Sequence, residues 1–350
     1  VVEAKAVEIM VKGDTIEYNA DSYKVQESAA LEDLLKKMPG VEVDKDGKIT
    51  VNGKEITKIM VDGKEFFSDD PKIASKNLPA KMVEKLQVLD KKSDMAMLTG
   101  FDDGNEETVI NLTVKPGMKE GLFGNAMVGY GNHGRYEGNG MINYMRNNTT
   151  ISAIGGINNT NNAGATDFAS SMFSGGGRPR GLRFGGNNGE TKSINGGINI
   201  ATEFSKKLKL TGDIRYGETD NNLHTISNRT FTSEQNPGTE YSDTRGRNKN
   251  RNFATNFRLE WKPDSLTTIQ FIPKVQYNTS DRNEIGYSET KYDATSPLAS
   301  KNSTTDQTYS SNGNGYTLSG ELNFNRKLND RGRSTTLGLK KKKKKTKHTQ

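Results

Sequence analysis

Three histidines, His133, His224 and His348, are the only imidazoles in the 350-residue chain, and it has no cysteine. They stand far apart in three different contexts. With no thiolate and no H-E-x-x-H pair, the sequence offers neither a metal centre nor a histidine-based catalytic group. No G-x-S-x-G elbow presents a nucleophilic serine. Residues 129–134 spell G-x-G-x-x-G, but a dinucleotide fingerprint opens a helix, whereas here the chain continues Arg135-Tyr136-Glu137 as strand. A turn between strands is the plainer reading. Asp44-Lys45-Asp46-Gly47 lacks the third ligand position and the later glutamate of a calcium loop, and reads as a hairpin turn. The carboxylate pairs Asp69-Asp70 and Asp102-Asp103 suit calcium or, more simply, a solvated loop. No enzyme and no cofactor are expected from this inventory.

Binding chemistry is better represented. Between Asn158 and Lys192, Arg178, Arg180 and Arg183 stand among glycine runs, with Phe173 and Phe184 embedded. Such a segment suits a lid that touches substrate, or a strand pair whose glycines allow close backbone approach to a packed domain. Arg178, Arg180, Arg183 and Phe184 are the candidate substrate contacts. The arginines suit an anionic ligand or lipopolysaccharide phosphate, with simple solvated charge as the default.

The elements that must hold such residues change character along the chain. The first third carries mixed α/β punctuation. Thr15–Tyr18 is a strand. Ala29–Met38 is a helix with Leu31, Leu34, Leu35 and Met38 on one face, Ser28 as its N-cap and Pro39-Gly40 as its stop. Turns at Asp46-Gly47, Asn52-Gly53 and Asp62-Gly63 separate short strands at 41–43, 48–51, 55–61 and 64–67, a compact meander. A second helix is expected over Pro79–Leu89 with Met82, Val83, Leu86 and Leu89 inward, and another strand over Thr108–Val114.

From about residue 121 a period of two takes over. Phe253, Thr255, Phe257, Leu259 and Trp261 form one stripe. Thr267, Ile269, Phe271, Val275 and Tyr277 form the next, and Tyr316, Leu318, Gly320, Leu322 and Phe324 a third. Apart from Ala254 and Ile272, the opposite parity is polar or charged. Strands of roughly 9–11 residues cross a bilayer when tilted. Tyr130, Trp261, Tyr277 and Phe324 sit near strand ends, where an interfacial girdle places aromatics. Short connections at 146–148, 205–207 and 262–264 alternate with long polar segments at 158–192, 218–250 and 280–314, which read as loops.

Composition agrees. Hydrophobic residues are 31% and mean hydropathy is −0.81, low for one large core but ordinary for strands that give half their residues to a polar lumen. No stretch has the 18 or so consecutive apolar residues of a membrane helix. The net charge of +7 equals the contribution of Lys340–Lys345 and Lys347, so the rest is neutral and no basic nucleic-acid face is expected. That lysine run is expected to break the strand begun at Arg333 and to stay disordered as an aberrant end.

The first third resembles the plug region of TonB-dependent receptors, in the variety with a divergent barrel. The matching residues are Lys12-Gly13-Asp14-Thr15, Leu31 to Gly40 (LEDLLKKMPG), Ile59 to Lys64 (IMVDGK), Asn77-Leu78-Pro79-Ala80, Val83 to Val88 (VEKLQV) and Thr99-Gly100-Phe101. Gly121 to Gly131 (GLFGNAMVGYG) and residues 156–161 extend the likeness, which is ordered over about 12–165 and textural beyond. The resemblance implies a small α/β plug domain followed by antiparallel transmembrane β-barrel strands, an incomplete barrel. Residues 1–11 would be the end of an upstream region or linker, 12–117 the plug, 118–339 the N-terminal portion of the barrel, and 340–350 the lysine-rich tail. Roughly ten to eleven strands, half a family barrel, and a start at Val1 mark the chain as a fragment that lacks a TonB-box segment.

The implied function is uptake of an unidentified nutrient across a Gram-negative outer membrane, the plug gating the lumen. Implied partners are an inner-membrane energising complex of TonB type, outer-membrane lipid and a surface lipoprotein, and no nucleic acid. The alternative is a non-transporting surface barrel or adhesin-like interaction protein.

Overall fold

A computed structural model describes residues 8–27, 29–44, 47–67, 71–100, 102–146, 148–161, 189–232, 237–328 and 333–349. The first region is a mixed α/β unit. It comprises β1 (Ile9–Lys12), β2 (Thr15–Asn19), α1 (Leu31–Leu35), β3 (Val41–Val43), β4 (Ile49–Val51), β5 (Lys54–Glu55), β6 (Lys58–Val61), β7 (Lys64–Glu65), α2 (Pro71–Asn77), β8 (Val83–Lys92), α3 (Asp94–Thr99) and β9 (Glu106–Val114). Six strands form one sheet in the order β1-β2-β8-β9-β6-β7, in which β6 and β9 run parallel, and β3-β4-β5 form a small second sheet. The expected single meander is therefore divided between two sheets. Asn52-Gly53 and Asp62-Gly63 all adopt positive φ and close the β4–β5 and β6–β7 hairpins.

Leu31, Leu34, Leu35 and Met38 are all buried, at 2% exposure or less. The helix itself is shorter than expected: it ends at Leu35, and Met38 is reached through a tightened turn in which its N–H donates to Leu35 O. The N-cap position is Ala30, whose N–H donates to Asp33 Oδ2 at 3.2 Å; Ser28 lies outside the described residues. The helix expected over Pro79–Leu89 is not there. A 3-10 turn, Ala80–Met82, leads into β8. The cause is a β-bulge at Val83–Lys85, which shifts the strand's phase so that Val83 and Leu86, three apart, both face the core and mimic helical spacing.

The second region is a nine-stranded antiparallel sheet in sequence order, with every strand beside its predecessor. Its strands are β10 (Gly121–Tyr130), β11 (Tyr136–Arg146), β12 (Thr149–Asn158), β13 (Glu190–Ser205), β14 (Leu208–Phe231), β15 (Gly238–Trp261), β16 (Thr267–Tyr292), β17 (Ser303–Lys327) and β18 (Ser334–Thr349). Among the described residues β10 and β18 are its two edges, and nine strands replace the ten to eleven expected.

Two of the expected long loops are hairpin extensions. Residues 218–250 and 280–314 continue the ladders of β14–β15 and β16–β17 nearly to their turns. Their alternation is invisible in sequence because both faces are polar there, while the backbone ladder and pairs such as Arg247–Asp220 (2.6 Å) persist. Of the third, 162–188 lies outside the described residues, and so do Arg178, Arg180, Arg183 and Phe184. The lysine run does not break its strand. β18 pairs with β17 throughout, because ladder bonds depend on backbone rather than side chains, and Lys340 reaches Glu321 at 3.4 Å. Tyr277, expected near a strand end, lies within β16.

Candidate functional site

The register assigns each residue of the large sheet to one face. Tyr216, Phe253, Tyr277 and Tyr316 are direct cross-strand partners, an aromatic row over β14–β17. Trp261, Ile269 and Phe324 form a second row eight residues along β15, about 26 Å away at 3.3 Å per residue. Phe271, Leu318, Leu322, Ile198 and Ile142 belong to the same face, each more than a third exposed. Just beyond the aromatic row this face turns ionic, with Lys249 and Arg251 on Glu218 at 2.7 and 3.1 Å.

The opposite face is polar, yet it is the covered one. Asn143 and Ser152 are fully buried, and Asn199, Asp213, Asn252, Asn323 and Asn325 are 3% exposed or less. The α/β unit packs on this face. Met141, Met145 and Ile154, with Phe123 beside them, join the hydrophobic cluster that includes Leu34, Leu86 and Leu112.

Polar contacts complete the junction. Arg258, inward on β15, donates to both carboxylate oxygens of Asp94, at 2.6 Å to Oδ1. Asp94 is placed by the first turn of α3, where Ser93 caps the helix by accepting from Ala96 N at 3.0 Å and Gly100 ends it in the left-handed region. Around this pair, Lys58 meets Glu107 at 2.8 Å and Glu65 at 3.8 Å, Lys91 meets Glu65 at 3.3 Å, and Arg258 approaches Glu65 at 4.0 Å. The network lines a cavity of about 220 Å³ that also reaches Asn199, Thr211 and Asn256. Nearer the short turns, the Lys64 ammonium donates to Asn148 O, at the β11–β12 turn, at 2.9 Å.

Burial works to raise the Asp94 pKa, but the Arg258 hydrogen bonds and charge, with Lys91 and Lys58 behind, outweigh it and hold the carboxyl below its ordinary range. Burial works to lower Lys58, and Glu65 and Glu107 more than restore it, so its pKa is raised. Both groups are therefore charged across the neutral range. The arrangement provides opposed charges that attach the α/β unit to the sheet, and no nucleophile–base pair.

The residues weighed from sequence fall elsewhere. Residues 132–134 form the turn between β10 and β11, with His133 at φ 60°, so G-x-G-x-x-G is a turn as expected. His224 meets Asp243 on the β14–β15 hairpin at 3.0 Å. Among the described residues no group of three or more His, Asp or Glu side chains is placed to hold a metal ion. Asp102 accepts from Gly104 N and Asp103 from Ser93 Oγ and Asn105 N, so these carboxylates serve a turn and a cap; Asp69-Asp70 lie outside the described residues. Sequence reading missed Asp94 and Arg258. Ser93-Asp94 followed by Gly100 was a legible signature of a short capped helix; what Arg258 faces was not legible.

No family model matches the sequence, and no curated protein matches it. Among solved structures the chain is similar to the ferric preacinetobactin receptor of Acinetobacter baumannii, at 12% identity and a TM-score of 0.34, over 96% of this chain and 58% of that one. It is similar also to a copper transporter, at 12% identity and a TM-score of 0.28, over 95% and 60%. The alcaligin outer-membrane receptor of Bordetella pertussis matches at 11% identity and a TM-score of 0.28, over 98% and 56%. The chain thus spans about 60% of the length of these transport receptors. At such scores the correspondence is loose.

Proposed function

We propose that the chain is part of an outer-membrane receptor that takes up a nutrient, with strands β10–β18 crossing the bilayer and the α/β unit acting as the plug of the lumen. One observation carries the reading: the sheet is inside out for water. Its polar face is buried under a domain and its apolar face is bare. A water-soluble sheet buries the apolar face instead. In hydrocarbon the arrangement is the expected one, and an apolar band about 25 Å tall between aromatic girdles is what an outer-membrane strand presents to lipid. On this reading the short turns near Asn148 face the periplasm, the long hairpins project outward, and a TonB-type partner would draw on the plug from the periplasmic side. Further strands are needed to close the barrel, since an open edge leaves backbone groups unsatisfied in lipid.

The chain has no native cysteine, so single labels are clean. Spin labels at Phe271→Cys and Gln270→Cys, in protein reconstituted into lipid vesicles, test the assignment of faces. Oxygen dissolved in lipid is expected to broaden the signal at 271 far more than at 270. Equal broadening, or the reverse, rejects the membrane reading.

A further inference from the structure

The six-stranded sheet of the α/β unit has two free edges among the described residues, β1 and β7. β7 has two residues, whereas β1 has four, Ile9-Met10-Val11-Lys12, and all of them are exposed. Ile9 and Val11 pair with Tyr18 and Ile16 on β2, so they share the face of the sheet that carries the core. Tyr18 is buried there, yet Ile9 is 36% and Val11 69% exposed. The core face therefore ends in an uncovered apolar margin. Met10, on the other face, is 40% exposed. An open edge is normally blunted by charge, proline or a bulge. Here the charges stand only at the ends, Glu8 just before the strand and Lys12 at its close.

The bonds already made determine which backbone groups remain. The Asn19 N–H donates to Glu8 O at 3.0 Å. Antiparallel ladders alternate, so Glu8, Met10 and Lys12 direct their backbone groups to β2, and Ile9 and Val11 direct theirs to the free edge. The N–H and C=O of both residues are thus open to a strand laid alongside.

A second copy of the same edge offers the matching set. About a two-fold axis through Met10, with the strands antiparallel, Ile9 lies opposite Val11 of the second copy, and each such pair exchanges two hydrogen bonds. Met10 meets Met10 of the second copy, and at either end Glu8 meets Lys12. A parallel pairing would set like charges together instead, which is unfavourable. Neither charge is claimed within the chain: among the described residues no ion pair reaches Glu8 or Lys12, and Glu17, on the face of Lys12, is already held by Lys85 and Gln87 at 2.9 Å each. Ile9 and Val11 of the second copy would cover the bare margin of the core face. We infer that β1 is a self-association edge, which joins the α/β units of two copies of this chain into one continuous sheet. The contact is short, below the size of a permanent interface, so the dimer is weak and forms as concentration rises. The inference does not depend on the membrane reading.

Single cysteines read the register, since the chain has none of its own. Met10 faces its counterpart at about 4.5 Å between Cα atoms, within reach of a disulfide. Val11 lies diagonal to its counterpart at about 7–8 Å, beyond that reach. In the full chain in detergent, mild oxidation should therefore join Met10→Cys into a covalent dimer and leave Val11→Cys monomeric. Sedimentation velocity of the unmodified chain should show a monomer–dimer equilibrium. Glu8→Lys sets like charges together at both ends and should raise the dissociation constant about tenfold. The double variant Glu8→Lys, Lys12→Glu reverses both pairs and should restore it. Circular dichroism separates a lost contact from a lost fold, and if Glu8→Lys unfolds, the cysteine pair decides alone. A chain that stays monomeric at every concentration, or a Val11→Cys that crosslinks as readily as Met10→Cys, overturns the inference. So does a dimer of a folded Glu8→Lys with unaltered strength, which places the association at another edge such as β10 or β18.

Discussion

Leu86 and Leu322 are both strand leucines, flanked by polar residues on either side. Leu86 is fully buried between β2 and β9, and Leu322 is 39% exposed on the outer face of β17. The α/β unit and the large sheet thus use one alternating pattern for opposite ends. In the first the apolar parity meets other apolar side chains of the same chain. In the second it meets nothing of the chain, while the polar parity is enclosed. Alternation fixes which residues share a face, and the environment decides which face is inside.

The comparison is broken most severely at the core. Leu86→Ala removes a fully buried side chain and should cost about 3 kcal/mol. For a domain of this size that is a fall of roughly 15 °C in the unfolding temperature of the α/β unit. Leu322→Ala should leave that transition where it is. Calorimetry of the full chain in detergent checks both, and a shared shift would show that the two regions unfold as one.

A charge sharpens the contrast on the sheet itself. If strands β10–β18 cross the bilayer as proposed, Phe271→Arg places a guanidinium on the lipid side at a cost of about 2–4 kcal/mol near the midplane. Gln270→Arg, one residue away, points to the polar interior and should be tolerated. Denaturant titration of vesicle-inserted protein separates them; equal losses would mean the two faces meet the same medium.

The legible parts were those in which local chemistry has a single solution. Asn52-Gly53 and Asp62-Gly63 named their hairpins because few other dipeptides accept two positive φ angles in succession. The stripes on β15, β16 and β17 were legible because the exposed and inward parities differ so sharply in polarity. The hairpin extensions were not, since side chains polar on both faces carry no period. β8 was misread because its bulge changes the period of a strand to that of a helix. The Asp94–Arg258 pair joins residues 164 apart, and only the fold brings them together. The arginines at 178, 180 and 183 drew the eye by composition and lie outside the described residues.

The ion-pair network supplies a smaller perturbation. Arg258→Ala leaves Asp94 partly buried without its partner and should weaken attachment of the α/β unit by about 2 kcal/mol. A double-mutant cycle with Asp94→Ala should recover most of that loss as coupling. Trp261 is the only tryptophan and lies three residues from Arg258. A fluorophore on Met97→Cys, at the exposed end of α3, therefore reports attachment by energy transfer from Trp261. Additive losses would mean that the pair is incidental.

Titration is the mildest way to open the same junction. The Asp94 pKa is lowered in the folded state, so its contribution is present above the unfolded value of about 3.9 and is lost as pH falls through the still lower folded value. The Lys58 pKa is raised, so its contribution is present below the unfolded value of about 10.4 and is lost as pH rises through the folded value. Energy transfer should then be flat from about pH 5 to 10 and decline at both ends. Glu17 and Asp90 are also lowered, by hydrogen bonds from Gln87 and Lys85 and from Lys54 and Thr108. Their acid loss loosens the α/β unit internally rather than its seat on the sheet, and Asp94→Asn separates the two effects. In that variant the steepest acid decline in transfer should vanish while the internal transition, followed by circular dichroism, keeps its midpoint. The alkaline limb should persist, because Glu65 and Glu107 still hold Lys58. An acid limb unchanged in Asp94→Asn would assign the junction's pH response to other carboxylates and reduce the Asp94–Arg258 pair to a contact without a switching role.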